Sequence, residues 1–287
     1  MPPLQGDPTV PVLTWVFSYS VVWILAACLW RAIKNGGLRA LPAPMPPQPG
    51  ISVEPYRVWD LAVVFLLFTL FMSPLLMAGG AEKPPQTLKS AHIITTIMML
   101  FLLAGFATSV VAWRVPPADW LGLRWKNWRS LFWMAPLSVA AMWGVFAVLM
   151  TMGYMRWMES LGVETVQESV RTLQDSHDPA LIASMAFAAL VAAPVCEEVI
   201  FRGYCHGVLK KYAGTGTSMV TTSLVFACAH GNLASALPLF LLGMLLVWTY
   251  EKTRSLWAPI AIHFLFNTAT VVTQILVRWL DIPLGPS

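Results

Sequence analysis

Eight apolar stretches, at roughly 10–30, 58–78, 91–113, 132–153, 181–201, 217–230, 233–250 and 256–279, set the terms on which this chain can fold. A helix needs about 20 apolar residues to cross the hydrocarbon core of a bilayer, and most of these stretches are that long. A helix on the surface of a soluble domain keeps a polar face, and these runs have none. Composition agrees: 57% of residues are hydrophobic and 11% charged, where a soluble domain carries about a quarter charged. The sequence therefore predicts an all-α fold, a polytopic membrane bundle of about eight transmembrane helices. The net charge of +4 does not point to nucleic acid, because Lys and Arg fall in short segments between apolar runs and not along one face. Such segments set topology, since basic loops stay in the cytoplasm.

Counted by loop, Arg31, Lys34, Arg39, Arg57, Arg114, Arg124, Lys126, Arg129, Arg202, Lys210, Lys211, Lys252 and Arg254 lie on one side. Only Lys83, Lys89, Arg156, Arg171 and Arg278 lie on the other. The expected protein is thus an integral, multi-pass one in the plasma membrane of a prokaryote, with both termini outside the cytoplasm. Leu25-Ala26-Ala27-Cys28 resembles a lipoprotein processing site, but no Lys or Arg precedes Val10 and the run stays apolar to Trp30. A secretory signal needs that positive segment, so the first stretch is read as a membrane helix.

Two connections are more than turns. Residues 35–57 are rich in Pro and Gly, which disfavours helix and predicts an extended loop. Residues 157–173 place Met158, Leu161, Val166, Val170 and Leu173 at helical spacing among charged residues, which predicts one amphipathic helix on the outer surface. One integrated bundle is expected. Residues 1–180 hold the first four helices, their loops and this interfacial helix, and 181–287 hold the four helices that carry the chemistry.

Ionisable groups inside a membrane are costly and mark function by default. Three clusters qualify. The first, Ala193 to Gly203, includes Glu197, Glu198 and Arg202 at the cytoplasmic end of the fifth stretch. Adjacent helical residues diverge by about 100°, so the two carboxylates face different ways. Glu198 and Arg202, four apart, can pair, and Glu197 is left to face a cavity. A carboxylate in a pocket poor in water is a better base than one in bulk solvent, which suits it to take a proton from water. The second cluster sets Phe226 and His230 one helical turn apart, and the third sets His263 and Asn267 on one helix face. Each alone also reads as helix packing or a hydrogen bond between helices. Together, a base, an assisting His and a His/Asn pair able to stabilise an oxyanion are the parts that amide hydrolysis requires.

The order and spacing of these clusters resemble the CAAX protease and bacteriocin-processing family of intramembrane peptidases, also called CPBP or Abi. The resemblance rests on EExxxR at Glu197, Glu198 and Arg202, FxxxH at Phe226 and His230, and HxxxN at His263 and Asn267, and it covers about residues 185–270. Phe201-Arg202-Gly203, Gly243 and Ser255 to Ile260 fit the family's surroundings, whereas Arg254 stands where a small residue is usual. The resemblance implies an intramembrane endopeptidase with a conical cavity open to one membrane face. By that likeness Glu197 is the general base on water with His230 beside it. Glu198 and Arg202 brace the site, Phe226 supports it, and His263 and Asn267 stabilise the oxyanion. The implied substrate is a peptide bond of a membrane-associated protein or peptide, prenylated in part of the family.

The sequence leaves the metal question open. Glu197, His230 and His263 could supply the three ligands of a catalytic zinc, yet no HExxH helix is present, and the favoured reading is a glutamate and histidine mechanism that requires no cofactor. Two other readings remain. One is a thiol peptidase using Cys196 or Cys205 with His206, and the other is a transporter or scaffold with a buried proton- or ion-binding cluster. Geometry adds one demand. A straight sixth helix would carry His230 on the order of 10 Å past Glu197, so that helix is expected to be bent, late-starting or re-entrant.

Overall fold

The structure, a computed structural model, describes residues 7–34, 49–78 and 89–280. All regular structure among them is helical. Among the described residues seven helices are long and apolar enough to cross a membrane. They are α1 (Thr9–Lys34), α2 (Asp60–Ala78), α3 (Ser90–Ala112), α4 (Leu131–Thr151), α5 (Pro179–Ala213), α7 (Leu233–Thr253) and α8 (Trp257–Trp279). The expected sixth span is α6, the shorter apolar helix Thr215–Ala229. Trp15, Trp23 and Trp30 on α1 each expose more than half of their surface, as do Phe132 and Trp133 on α4. In a bilayer such apolar surface meets acyl chains, while most backbone N–H and C=O groups are satisfied within their own helix.

The bundle is arranged around α5. Its Cys196, Ile200, Tyr204, Cys205 and Val208 are sealed from solvent, and it touches α1, α2, α3, α6, α7 and α8, while α4 packs on α7 and α8. The expected fifth span ended near residue 201, with Arg202, Lys210 and Lys211 in a cytoplasmic loop. Instead the helix continues to Ala213, and both Arg202 and Lys210 are buried within the bundle. Partners from distant segments make this tolerable, as charges are buried only when paired.

α5 is not uniformly wound. It carries wide π-type turns at Ala188–Ala192 and Glu198–His206, of the kind that recur at functional sites. The first has a local cause. Pro194 lacks the N–H that would reach back along the helix, and the ladder widens so that Ala193 N–H donates to Ala188 O, five residues back.

The length of α5 also removes the depth problem posed by His230. Glu197 lies sixteen residues before Ala213 and His230 fifteen after Thr215, so both stand about 23 Å from the turn joining α5 to α6. The expected irregularity of the sixth helix is not what solves this, because α6 is a plain 15-residue α-helix. It closes in a tight turn at Gly231, and Asn232 caps α7 by accepting from Ser235 N.

The surface helix expected over 157–173 is two shorter helices, Tyr154–Ser160 and Glu168–Asp175. Gly162, at φ 78°, ends the first. Its N–H donates to Glu159 O and that of Val163 to Met158 O, a Schellman motif in which the glycine takes the left-handed position. Of the Pro- and Gly-rich connection at 35–57, residues 35–48 lie outside the described residues. The part described, 49–57, is not free: Ile51 and Tyr56 are buried.

A polar belt fixes that segment to the basic end of the bundle. Lys210 Nζ donates to Pro49 O at 2.9 Å and to Glu251 Oε2 at 2.8 Å, and Glu251 accepts from Ile51 N at 3.1 Å. His206 lies between Glu251, at 2.7 Å, and the Ser218 hydroxyl, at 2.5 Å. Tyr56 donates to Gly203 O, and its own hydroxyl accepts from Trp120 Nε1. Burial pushes the Tyr56 phenol well above its ordinary pKa, so it remains a donor. Asp60 accepts from both Arg114 and Tyr204.

Candidate active site

The three polar clusters of the sequence converge at the middle of the bundle. Glu198 Oε1 accepts from Arg202 Nη1 at 2.9 Å and meets His263 Nδ1 at 2.9 Å. The expected Glu198–Arg202 pair is therefore present, fully buried, and the same carboxylate orients His263 from α8, which spacing alone could not reveal. The Arg202 guanidinium also reaches Gly243 O at 3.4 Å and stacks over the Phe226 ring at 4.4 Å.

Phe226 is the hub of this packing. Its ring centroid lies 4.9 Å from that of His230, 5.5 Å from Phe201 and 5.9 Å from His263. One aromatic side chain thus separates and aligns both imidazoles, with edge-to-face contacts of the favourable kind. Gly243 lets α6 and α7 close over it, since a Cβ there would lie 2.9 Å from Ser223 Cβ.

His230, the C-cap of α6, bonds through Nδ1 to Phe226 O at 2.8 Å. A carbonyl only accepts, so Nδ1 carries the proton and neutral His230 keeps Nε2 as an acceptor. His263 likewise donates Nδ1–H to a carboxylate. With both ring protons present it retains an Nε2–H to offer.

Glu197 differs from its neighbour. Its Oε2 is buried without a hydrogen-bond partner, as are Glu198 Oε2 and Arg202 Nε, but Glu198 has its Oε1 engaged by Arg202 and His263, and an unpartnered buried carboxylate in a native fold calls for an explanation. It forms part of the wall of an apolar cavity of about 200 Å³ that His230 also lines, together with Phe71 and Pro74 of α2 and Met99 and Leu103 of α3. The arrangement offers a carboxylate with free valence facing a space poor in water, beside an imidazole acceptor.

Asn267 makes a contact that its spacing from His263 did not reveal. Its Nδ2 donates to Ala189 O at 2.8 Å, a carbonyl left open because Pro194, five residues on, has no N–H to give it. The contact positions α8 against the wide turn of α5 and turns the amide toward backbone. Among the described residues no three His, Cys, Asp or Glu side chains are grouped to hold an ion. As for a thiol centre, His206 is engaged with Ser218 and Glu251, and Cys196 and Cys205 are buried free thiols.

Sequence reasoning missed Glu251 and Ser218 altogether and did not foresee the placement of His206 and Lys210. The available signal was the i,i+4 spacing of His206 and Lys210, which puts both on one face of α5.

A helical bundle with buried Glu, Arg and His side chains around an apolar cavity is an arrangement that a polytopic membrane peptidase can use, and the comparisons point to that class. Residues 179–269, from the start of α5 into α8, match the family model described as type II CAAX prenyl endopeptidase Rce1-like. A Bacillus subtilis (strain 168) protein named "Putative membrane peptidase YdiL" is 24% identical over 227 residues, covering 76% of this chain and 89% of its own length. No solved structure matches. Both comparisons make the chain similar to the CAAX-type membrane endopeptidases, the family likeness lying in residues 179–269.

Proposed function

We propose that this protease hydrolyses a peptide bond of a membrane-associated protein or peptide with water activated by Glu197 and His230. The observation that carries the reading is the partnerless Glu197 carboxylate on a cavity wall shared with His230, while the adjacent Glu198 is engaged by Arg202 and His263. A water bound there gives one proton to Glu197 as its oxygen attacks the carbonyl carbon, with His230 Nε2 accepting the second O–H as a hydrogen bond. The carbonyl oxygen gains the electron pair of the C=O bond, and Nε2–H of His263, in its doubly protonated form, stabilises that charge. When the C–N bond breaks, the proton on Glu197 passes to the departing amine.

No step uses a metal or other cofactor. The Asn267 amide is assigned a supporting role, holding the frame in which His263 sits. The basic end of the bundle is assigned to the cytoplasm of a prokaryotic cell, with both termini on the other side of the plasma membrane. The family matched by residues 179–269 is one of CAAX prenyl endopeptidases. Here the proposed substrate class is the broader one of peptides held at the membrane.

Glu197→Gln tests the mechanism. Cleavage of a quenched-fluorescence peptide by the reconstituted protein should fall by about 10²- to 10⁴-fold or more, with helicity unchanged, and treatment of the native protein with a strong chelator should leave the rate intact. Cleavage that survives Glu197→Gln removes this carboxylate from the chemistry. Loss on chelation, restored by zinc, replaces the mechanism with a metal-dependent one.

A further inference from the structure

A second cavity, of about 460 Å³, adjoins the first. The two share Pro74, Ala229 and His230 as wall residues, so the imidazole of the proposed site stands at their junction. Their linings differ in kind. The chamber at Glu197 is apolar apart from that carboxylate, His230 and Thr96, whereas the second presents Asp7, Thr9, Glu164, Gln167, Glu168 and Asn232. Among the described residues no Lys or Arg lines it.

The charge is partly offset. Arg171 pairs with Glu164. Asp7 accepts from Thr9 N at the start of α1, and Glu168 opens the helix Glu168–Asp175, and each helix start contributes a partial positive charge of about half a unit. Among the described side chains that line the chamber, Asp7 and Glu168 remain without an ion-pair partner. A further feature points to a ligand: Thr9 is 6% exposed, yet its Oγ1 has no hydrogen-bond partner. A buried hydroxyl without a partner in the wall of a polar chamber is a contact awaiting a donor or acceptor.

We propose that this second chamber receives the polar, positively charged flank of a peptide whose apolar part occupies the chamber at Glu197. The inference rests on the proteolytic reading and narrows its substrate class. Lys or Arg side chains, or a free amino terminus, beside the scissile bond are favoured by Asp7 and Glu168 and hydrogen-bonded by Thr9. A free C-terminal carboxylate at the same place is repelled. The scissile bond then lies near His230, where apolar and polar linings meet.

The test separates binding from cleavage. Two dye-labelled peptides share one alanine–leucine apolar segment and end in Lys-Lys-Lys or Glu-Glu-Glu. They are titrated at low salt against the full chain carrying Glu197→Gln, in nanodiscs of uncharged phosphatidylcholine. The lysine peptide is expected to bind at least about fivefold tighter, and added salt should shrink the difference. Asp7→Asn with Glu168→Gln, which keep the acceptor oxygens and the fold, should bring the ratio below about twofold. Equal binding, no binding of either peptide, or a preference that the double variant leaves unchanged overturns the proposal. Cleavage is measured in parallel with native Glu197. Charge-selective binding without cleavage of either peptide would overturn the peptidase mechanism and leave the chamber's selectivity standing.

Discussion

Glu197 and Glu198 are neighbours in the chain and opposites in energetics. Glu198 is tied into a buried network through one oxygen, because its Oε1 holds Arg202 and His263 in place. Removing it as Glu198→Ala leaves a buried guanidinium without its counter-charge, which costs about 3–5 kcal/mol. The expected outcome is a large drop in the melting temperature of the detergent-solubilised protein together with loss of activity. Glu197→Gln should abolish activity while the melting temperature stays level or rises, since a partnerless buried carboxylate stabilises nothing and active sites commonly trade stability for function. Much of this was legible in the sequence. Two adjacent helical carboxylates must diverge, and only one has Arg202 four residues on. What spacing could not supply was the link from Glu198 to His263, because those residues are brought together only by the packing of α5 on α8. Arg254 is a smaller case. The sequence marked it as out of place, and the structure gives the reason: it caps α7 at φ 55°, a left-handed conformation that glycine adopts without strain.

At the scale of the helix, Pro194 does more than bend α5. Its missing N–H leaves Ala189 O without a backbone donor, and Asn267 of α8 supplies one. Asn267→Leu orphans that carbonyl, and the expected cost is about 1–3 kcal/mol. Pro194→Ala restores a backbone donor, so the two changes should be less than additive in thermal unfolding, a coupling that a double-mutant cycle measures. Peptidase activity should return in the double variant if Asn267 only positions α8. Activity that stays lost while stability recovers would assign the amide to the oxyanion itself. Helix boundaries were the least legible level. The amphipathic pattern from Met158 to Leu173 concealed the stop at Gly162, although a glycine after a helical run is a known terminator. The far half of α5 escaped notice for a different reason. Local hydropathy falls at Arg202, while the groups that let Arg202 and Lys210 be buried, Gly243 O, Glu251 and Pro49 O, come from distant parts of the chain.

The whole molecule has two unlike ends. At the basic end Lys210, Glu251, His206 and Ser218 fasten residues 49–57 across α5, α6 and α7. Glu251→Gln removes the counter-charge of a buried Lys210, and the expected penalty is about 3–5 kcal/mol. Limited proteolysis should then cut within 49–57 faster than in the native protein, while a site defect alone would leave this segment protected. Toward the other end α2 and α3 form walls of the chamber at Glu197, and Met99 both lines that chamber and exposes 39% of its surface on the outside of an apolar helix. A wall of that kind faces acyl chains and not water. Under the proposed peptidase reading, a substrate that entered through it would arrive by sliding within a two-dimensional fluid, so turnover would follow how crowded with substrate the leaflet is, and a peptide dissolved in the surrounding buffer would count only once it had partitioned into lipid.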